Sequence, residues 1–174
     1  MTPRFSLARR KARELLRAAN IRQAPVAVER LARTAGARIH YEPFDGQISG
    51  MVHRRPDGVA IIGVNSAHSI GRQRFTIAHE LGHLILHKDE TLHVDERAPI
   101  GFRNEESSLA TKDVEIEANQ FAAELLMPAD LLAKEIESIS DDLEAEAAVS
   151  ELADRFQVSE QAMTLRLTRL GILA

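Results

Sequence analysis

With 174 residues, 44% of them hydrophobic and 28% charged, the chain has the length and composition to fill one ordinary globular core. No apolar run reaches bilayer length, and the first residues lack the apolar stretch and small-residue cleavage site of a secretory signal. The absence of cysteine excludes disulfides and thiolate ligands, so a cytoplasmic protein without membrane attachment is expected.

Residues 5–19, FSLARRKARELLRAA, predict a helix that packs through Leu7, Leu15, Leu16 and Ala19, with Arg9, Arg10, Lys11, Arg13 and Arg17 on a solvated face. The net charge of −4 divides unevenly: residues 1–33 carry +7 and the remainder −11. Such a basic helix could touch nucleic acid, but docking on the chain's own acidic half is the simpler expectation. Pro25 is suited to begin a second helix through Val26, Val28, Leu31 and Ala32, with Gly36 placed to end it. Alternating segments at 37–42, 48–53 and 59–64, the last two joined by the turn residues Arg54–Gly58, predict a small antiparallel sheet. His40, His53 and His68 fall among these strands and turns and read as surface or hydrogen-bonding histidines.

Next comes Arg74-Phe75-Thr76-Ile77-Ala78-His79-Glu80-Leu81-Gly82-His83-Leu84-Ile85-Leu86-His87, an apolar helical run carrying His-Glu-x-x-His, with Ser69 as a candidate N-cap. On a helix His79 and His83 lie roughly 40° apart on one face, a spacing at which two imidazoles chelate one Zn²⁺. Glu80 stands beside them, placed to take a proton from a water that the metal activates. Ile77, Leu81, Leu84 and Ile85 form the opposite, core-facing stripe. A chance copy of the motif would usually fall on a polar helix, whereas unpartnered histidines on an apolar one are costly. His87, one turn after His83, reads as a helix-terminal histidine near the negative end of the dipole. An extended pattern with a third histidine is excluded, because Leu86 and Asp89 stand where glycine and histidine would be required.

Asp89 to Lys112 is polar and reads as a long loop over the site. Residues 113–127 predict a helix with the apolar stripe Val114, Ala118, Phe121, Ala122, Leu125 and Leu126, ended by Pro128. A further helix starts at Ala129-Asp130, and 138–142 is a linker. Val149 to Leu170 has a helix-turn-helix pattern, with the turn at Val158-Ser159 and Ser159 as cap. Arg155, Arg166 and Arg169 face five acids over 143–174, too little cation for phosphate contacts, so direct nucleic-acid binding is not expected. The expected division is a metallopeptidase domain over 1–140 and a helical extension over 141–174.

The third metal ligand is sought among the acids of the 113–127 helix. Glu115 lies about 60° from the centre of the apolar stripe and Glu117 about 100° away on the other side, so Glu115 is chosen and Glu117 is read as a surface salt bridge. Asn119, four residues after Glu115, shares its face and is suited to orient a metal-bound histidine. Two histidines and a carboxylate leave a fourth position for water, and the chemistry is metal-assisted hydrolysis with Glu80 relaying the proton to the departing amine. An exposed sheet edge would take an extended peptide by strand addition. Tyr41 and His93 are the candidates for oxyanion partner.

Together, Arg74 to His83 and Glu115-x-Glu117-Ala118-Asn119-x-Phe121-Ala122-x-x-Leu125-Leu126-Met127-Pro128 resemble the ImmA/IrrE-type zinc metallopeptidases, and the likeness covers nearly the whole chain. The resemblance implies an α+β, zincin-like fold in which a small antiparallel sheet packs on helices around an active-site helix. A helix-turn-helix-like pair would close the chain. It implies His79, His83 and Glu115 as metal ligands and Glu80 as catalytic acid/base, although the interval from His83 to Glu115 is longer than in thermolysin-like enzymes. It also implies a Zn²⁺ enzyme, with Mn²⁺ an alternative in the cell. The expected substrate is a helix-turn-helix transcriptional repressor in stress, mobile-element or toxin–antitoxin-like regulation. The competing expectation is a repressor- or DNA-binding module with a structural or weakly active zinc site.

Overall fold

The computed structural model describes residues 2–45, 48–89, 91–96, 105–139 and 144–173, with backbone alone at 96 and 105–111. Helices α1 (Phe5–Ala18) and α2 (Val28–Thr34) lead into strands β1 (Ala37–Glu42), β2 (Ile48–Arg54) and β3 (Ala60–Asn65). Helix α3 (Ile70–Leu86), strand β4 (Leu92–Glu96) and helix α4 (Glu105–Leu126) follow, and α5 (Ala129–Ile136), α6 (Ala145–Phe156) and α7 (Glu160–Arg169) complete the chain.

Breakers and caps set several boundaries. Gly36, at φ +87°, takes the left-handed conformation that ends α2. Pro128 separates α4 from α5. In the last turn Ser159 Oγ accepts the backbone N–H of Ala162 at 3.2 Å, the side-chain cap expected of α7.

Two expectations about the sheet need correction. It is mixed rather than antiparallel: the order is β1-β3-β2-β4, with β1 parallel to β3 and β2 antiparallel to both β3 and β4. Alternation reports that a strand is half-buried, not which neighbour it pairs with or in which direction. The segment 89–112 is also not one long loop, because β4 forms at its start and α4 begins at Glu105; residues 97–104 of that expected loop lie outside the described residues. β4 is too short and polar to announce itself, and only its pairing with β2 (His93 opposite Val52, Asp95 opposite Gly50) makes it a strand.

The core runs through every layer. Val52, Ala60, Ile62 and Val64 of the sheet join Ile77 and Leu81 of α3, Phe121 and Leu125 of α4, and Leu152, Phe156, Met163 and Leu167 of α6 and α7. α3 lies in the middle, packed on β2 and β3 and along α4. Two glycines permit this. A Cβ on Gly50 would lie 2.3 Å from Thr76 Cγ2, and one on Gly82 would lie 3.2 Å from Ala118 Cα and from a Phe121 ring carbon. Sheet and α4 can therefore both approach the histidine-bearing helix closely.

On the basic helix α1, small Ala8 and Ala12 with Leu16 make the buried face, rather than the leucine stripe alone. Two cations turn to α4: Arg4, just ahead of α1, and Arg13 on it bond Glu117 and Glu124 at 2.7–3.0 Å, while Arg10 and Lys11 pair with Glu14 of α1 itself.

Candidate metal centre

His79 and His83 sit one turn apart on the buried stretch of α3, only 3% and 1% exposed, with Glu80 completely buried between them. α4 crosses α3 at Gly82 and brings Glu115 over the two rings. His79 Nε2 lies 3.1 Å from His83 Nε2 and 3.2 Å from Glu115 Oε2, and His83 Nε2 lies 3.4 Å from Glu115 Oε1. Donors bound tetrahedrally to one zinc at 2.0–2.1 Å are separated by roughly 3.3 Å, so these three residues fit a single divalent ion.

Burial, then the neighbouring His79, His93 and His87 and the cation of Arg54, hold the His83 pKa well below its ordinary value, keeping the ring neutral as a ligand must be. For Glu115, burial works to raise the pKa, but the bond to His79 and the surrounding histidines outweigh it, so the carboxylate stays ionised below the usual range. Asn119 Oδ1 lies 3.1 Å from His79 Nδ1, the arrangement expected of the group that orients His79.

Strand β4 adds a residue that sequence reasoning placed only among oxyanion candidates. His93 Nε2 is 3.3 Å from Glu115 Oε1, and its ring stacks on His83 with centroids 3.6 Å apart. His79, His83, His93 and Glu115 thus form one group whose potential donor atoms all lie within 4.8 Å of one another. The rings differ in their fit, however. Imidazoles sharing a tetrahedral ion through Nε2 have centroids roughly 5 Å apart; the His79–His83 pair, at 4.7 Å, matches this, and the stacked His83–His93 pair does not. His93 therefore stands beside the three-donor set. Asp95, on the same face of β4, groups with His79 and Glu80.

Other expectations fall differently. Tyr41 lies on β1, at the opposite edge of the sheet from β4 with β3 and β2 between them, and is 43% exposed. Glu117 does form a salt bridge, with Arg4, but it is buried rather than on the surface. His87 stands at the end of α3 as expected, as its C-cap, and is buried there against His83 and Glu117. Arg54 of β2 reaches the carbonyls of His83 and His87 at 3.0 and 2.8 Å, satisfying the end of the helix that carries the centre. The histidine spacing 79-83-87 was the sequence signal for His87; for His93 only the alternation of Leu92-His93-Val94-Asp95 was present. Beside the centre, a groove of about 670 Å³ runs from Phe75 and Asn119 past Ala123 and Met127 to Val158 and Leu165.

Residues 32–168 match the peptidase family described as the IrrE N-terminal-like domain. The chain is 38% identical over 109 residues to the radiation response metalloprotease IrrE of Deinococcus radiodurans, an alignment spanning 62% of this chain and 30% of that protein. A Mycobacterium tuberculosis transcriptional regulator superposes with a TM-score of 0.60 at 17% identity, over 92% of this chain and 46% of that one, a likeness of fold. The chain thus corresponds to less than half the length of either relative.

Proposed function

The chain belongs to the ImmA/IrrE-type peptidase family, and from that premise we propose that it is a zinc-dependent, site-specific endopeptidase. The observation that carries this reading is the convergence of His79, His83 and Glu115 at tetrahedral donor spacing, with Glu80 buried next to His79. A bound divalent ion, zinc or in the cell manganese, supplies Lewis-acid polarisation of the scissile carbonyl and acidifies the attacking water.

The protein's own groups do the rest. Glu80 accepts the proton of the attacking water and delivers it to the leaving amine. Asn119 holds His79 with Nδ1–H donated, so that Nε2 is free to ligate. His93 faces the same centre without matching the ligand geometry, and serves as donor to the oxygen that gains charge as the carbonyl is attacked. The outer edge of β4, whose other side pairs with β2, takes the peptide as an added strand.

The substrate in this reading is a helix-turn-helix repressor, and the setting is regulation inside the cytoplasm. The similarity to a radiation response metalloprotease supports a stress-linked role. No described helix is long and apolar enough to cross a membrane.

A second reading, a regulatory binding module with a structural or weakly active zinc, needs a fourth protein ligand; His93 is near enough to offer one, but its ring, stacked on His83, does not match the ligand geometry. DNA binding by the C-terminal pair is not favoured: Arg166 is buried in an ion pair with Glu124, and Arg155 is paired with Glu135 and Glu151.

The experiment is incubation with a candidate helix-turn-helix repressor and Zn²⁺ or Mn²⁺, with Glu80→Gln in parallel. Cleavage should disappear in the variant while zinc content stays at wild-type level. Undiminished cleavage by Glu80→Gln would refute the mechanism.

A further inference from the structure

Behind His83 runs a continuous line of polar contacts. His83 Nδ1 lies 3.1 Å from His87 Nδ1, and His87 Nε2 lies 3.1 Å from Glu117 Oε2. Glu117 in turn accepts the backbone N–H of Arg4 at 2.7 Å, its Nε–H at 3.0 Å and its Nη2–H at 2.8 Å. His87 and Glu117 are buried, whereas the Arg4 side chain is 52% exposed. Arg4 also precedes residues 32–168, the part of the chain that matches the family.

The donor and acceptor capacities of these groups leave one consistent arrangement. A neutral imidazole has one N–H and one acceptor nitrogen. If His83 ligates through Nε2, its proton is on Nδ1 and must be donated, and the group facing it is His87 Nδ1. His87 then accepts at Nδ1 and carries its own proton on Nε2, which it donates to Glu117. Glu117 can only accept when ionised, and the guanidinium of Arg4 and the bond from His87 hold it there. The order of protons is thus set from the charged end: guanidinium, carboxylate, His87, His83. Were Glu117 or Arg4 removed, His87 could put its proton on Nδ1, facing the Nδ1–H of His83, and the two donors would repel.

We propose that Arg4, Glu117 and His87 are positioning residues that fix the tautomer and ring orientation of His83 and so set the metal affinity of the centre, tying the segment ahead of α1 to the site. This rests on the reading of His83 as a ligand. Among the described residues His79 has Asn119 for the same task, whereas His83 is backed by His87 at the end of its own helix, Glu117 of α4 and Arg4 of the N-terminal segment.

The test is zinc affinity of the full chain by competition with a chromophoric chelator, together with the ¹⁵N resonances of the histidine rings. His87→Phe should weaken zinc binding by about 10- to 100-fold, the range typical for loss of a group behind a ligand. Arg4→Ala should weaken it several-fold, with Arg4→Lys intermediate, and the ring of His87 should lose its single Nε2–H tautomer. In His87→Phe the further change Arg4→Ala should have no added effect on zinc, because the line is already cut. A loss of fold would instead multiply the two effects. Zinc-free thermal melts and the near-isosteric Glu117→Gln control for folding. Unchanged zinc affinity and an unchanged His87 tautomer in Arg4→Ala, or fully multiplicative effects in the double variant, would overturn the proposal. Retention of zinc by His83→Ala would instead refute the ligand reading beneath it, so the two failures are distinguishable.

Discussion

Glu115 and Glu117 stand two positions apart on α4, and the turn between them separates two tasks. Glu115 points at the histidine pair, while Glu117 faces His87 and Arg4. Zinc measured in the purified variants should therefore fall to background in Glu115→Ala and persist at reduced affinity in Glu117→Ala; the reverse pattern would exchange their roles. Their separation by angle was legible from residue spacing, because helical geometry is local. That Glu117 is buried was not, since its cover comes from Arg4 and His87, distant in sequence. Burial acts to raise the Glu117 pKa, but bonds from Arg4 and His87 prevail and lower it from 4.5 to about 2. A depressed carboxylate adds stability that is complete above its unfolded pKa and is lost as the pH falls through the folded one. Between pH 4.5 and about 2 the zinc-free protein should thus lose stability more steeply than Glu117→Gln, measured by urea denaturation at successive pH values. Equal slopes would show that the ion pair with Arg4 contributes nothing there.

At the scale of elements, the centre depends on how closely α3 and α4 approach. Gly82 lies between the two candidate ligands in sequence and meets Ala118 and Phe121 of α4 where a Cβ would be only 3.2 Å from both. Gly82→Ala must push the helices apart or distort Phe121, and overpacking of this kind costs about 1–3 kcal/mol. The expected result is a lower urea midpoint and weaker zinc binding together, because Glu115 moves with α4. A variant with wild-type midpoint and affinity would show that the contact has slack. The helices were readable because apolar period and breakers such as Gly36 and Pro128 act locally, with a side-chain cap at Ser159 of α7. β4 was not: its alternation spans only five residues, too few to stand out from the polar stretch around it, and the strand is fixed by its ladder to β2.

Across the whole molecule, α4 fastens both ends of the chain. Glu124, 1% exposed, receives Arg13 of α1 at 2.7 Å and Arg166 of α7 at 2.6 Å, and Arg166 also donates to the carbonyl of Met127. Arg166→Ala removes the buried partner and leaves buried Glu124 with only the outer Arg13, so it should cost about 3 kcal/mol, the low end of the range for breaking a buried pair. Arg13→Ala, at an outer position with its side chain 51% exposed, should cost far less. Comparable losses from the two, read by chemical denaturation, would contradict the division between an inner and an outer contact. Arg4 and Arg13 near the N-terminus and Arg155 and Arg166 of the last helices thus serve the chain's own acids.

By itself the sequence determined what depends on neighbours along the chain: the helices, the paired histidines with Glu80 on a buried face, and the phase of Glu115 and Asn119 one turn apart. Those are consequences of a fixed rotation per residue and of apolar spacing. Only the tertiary structure decided that β1 runs parallel to β3, that a strand carries His93 to the centre, and that Arg4 reaches Glu117 behind His83. Each of these joins segments far apart in sequence, where register and direction follow from packing rather than from local pattern.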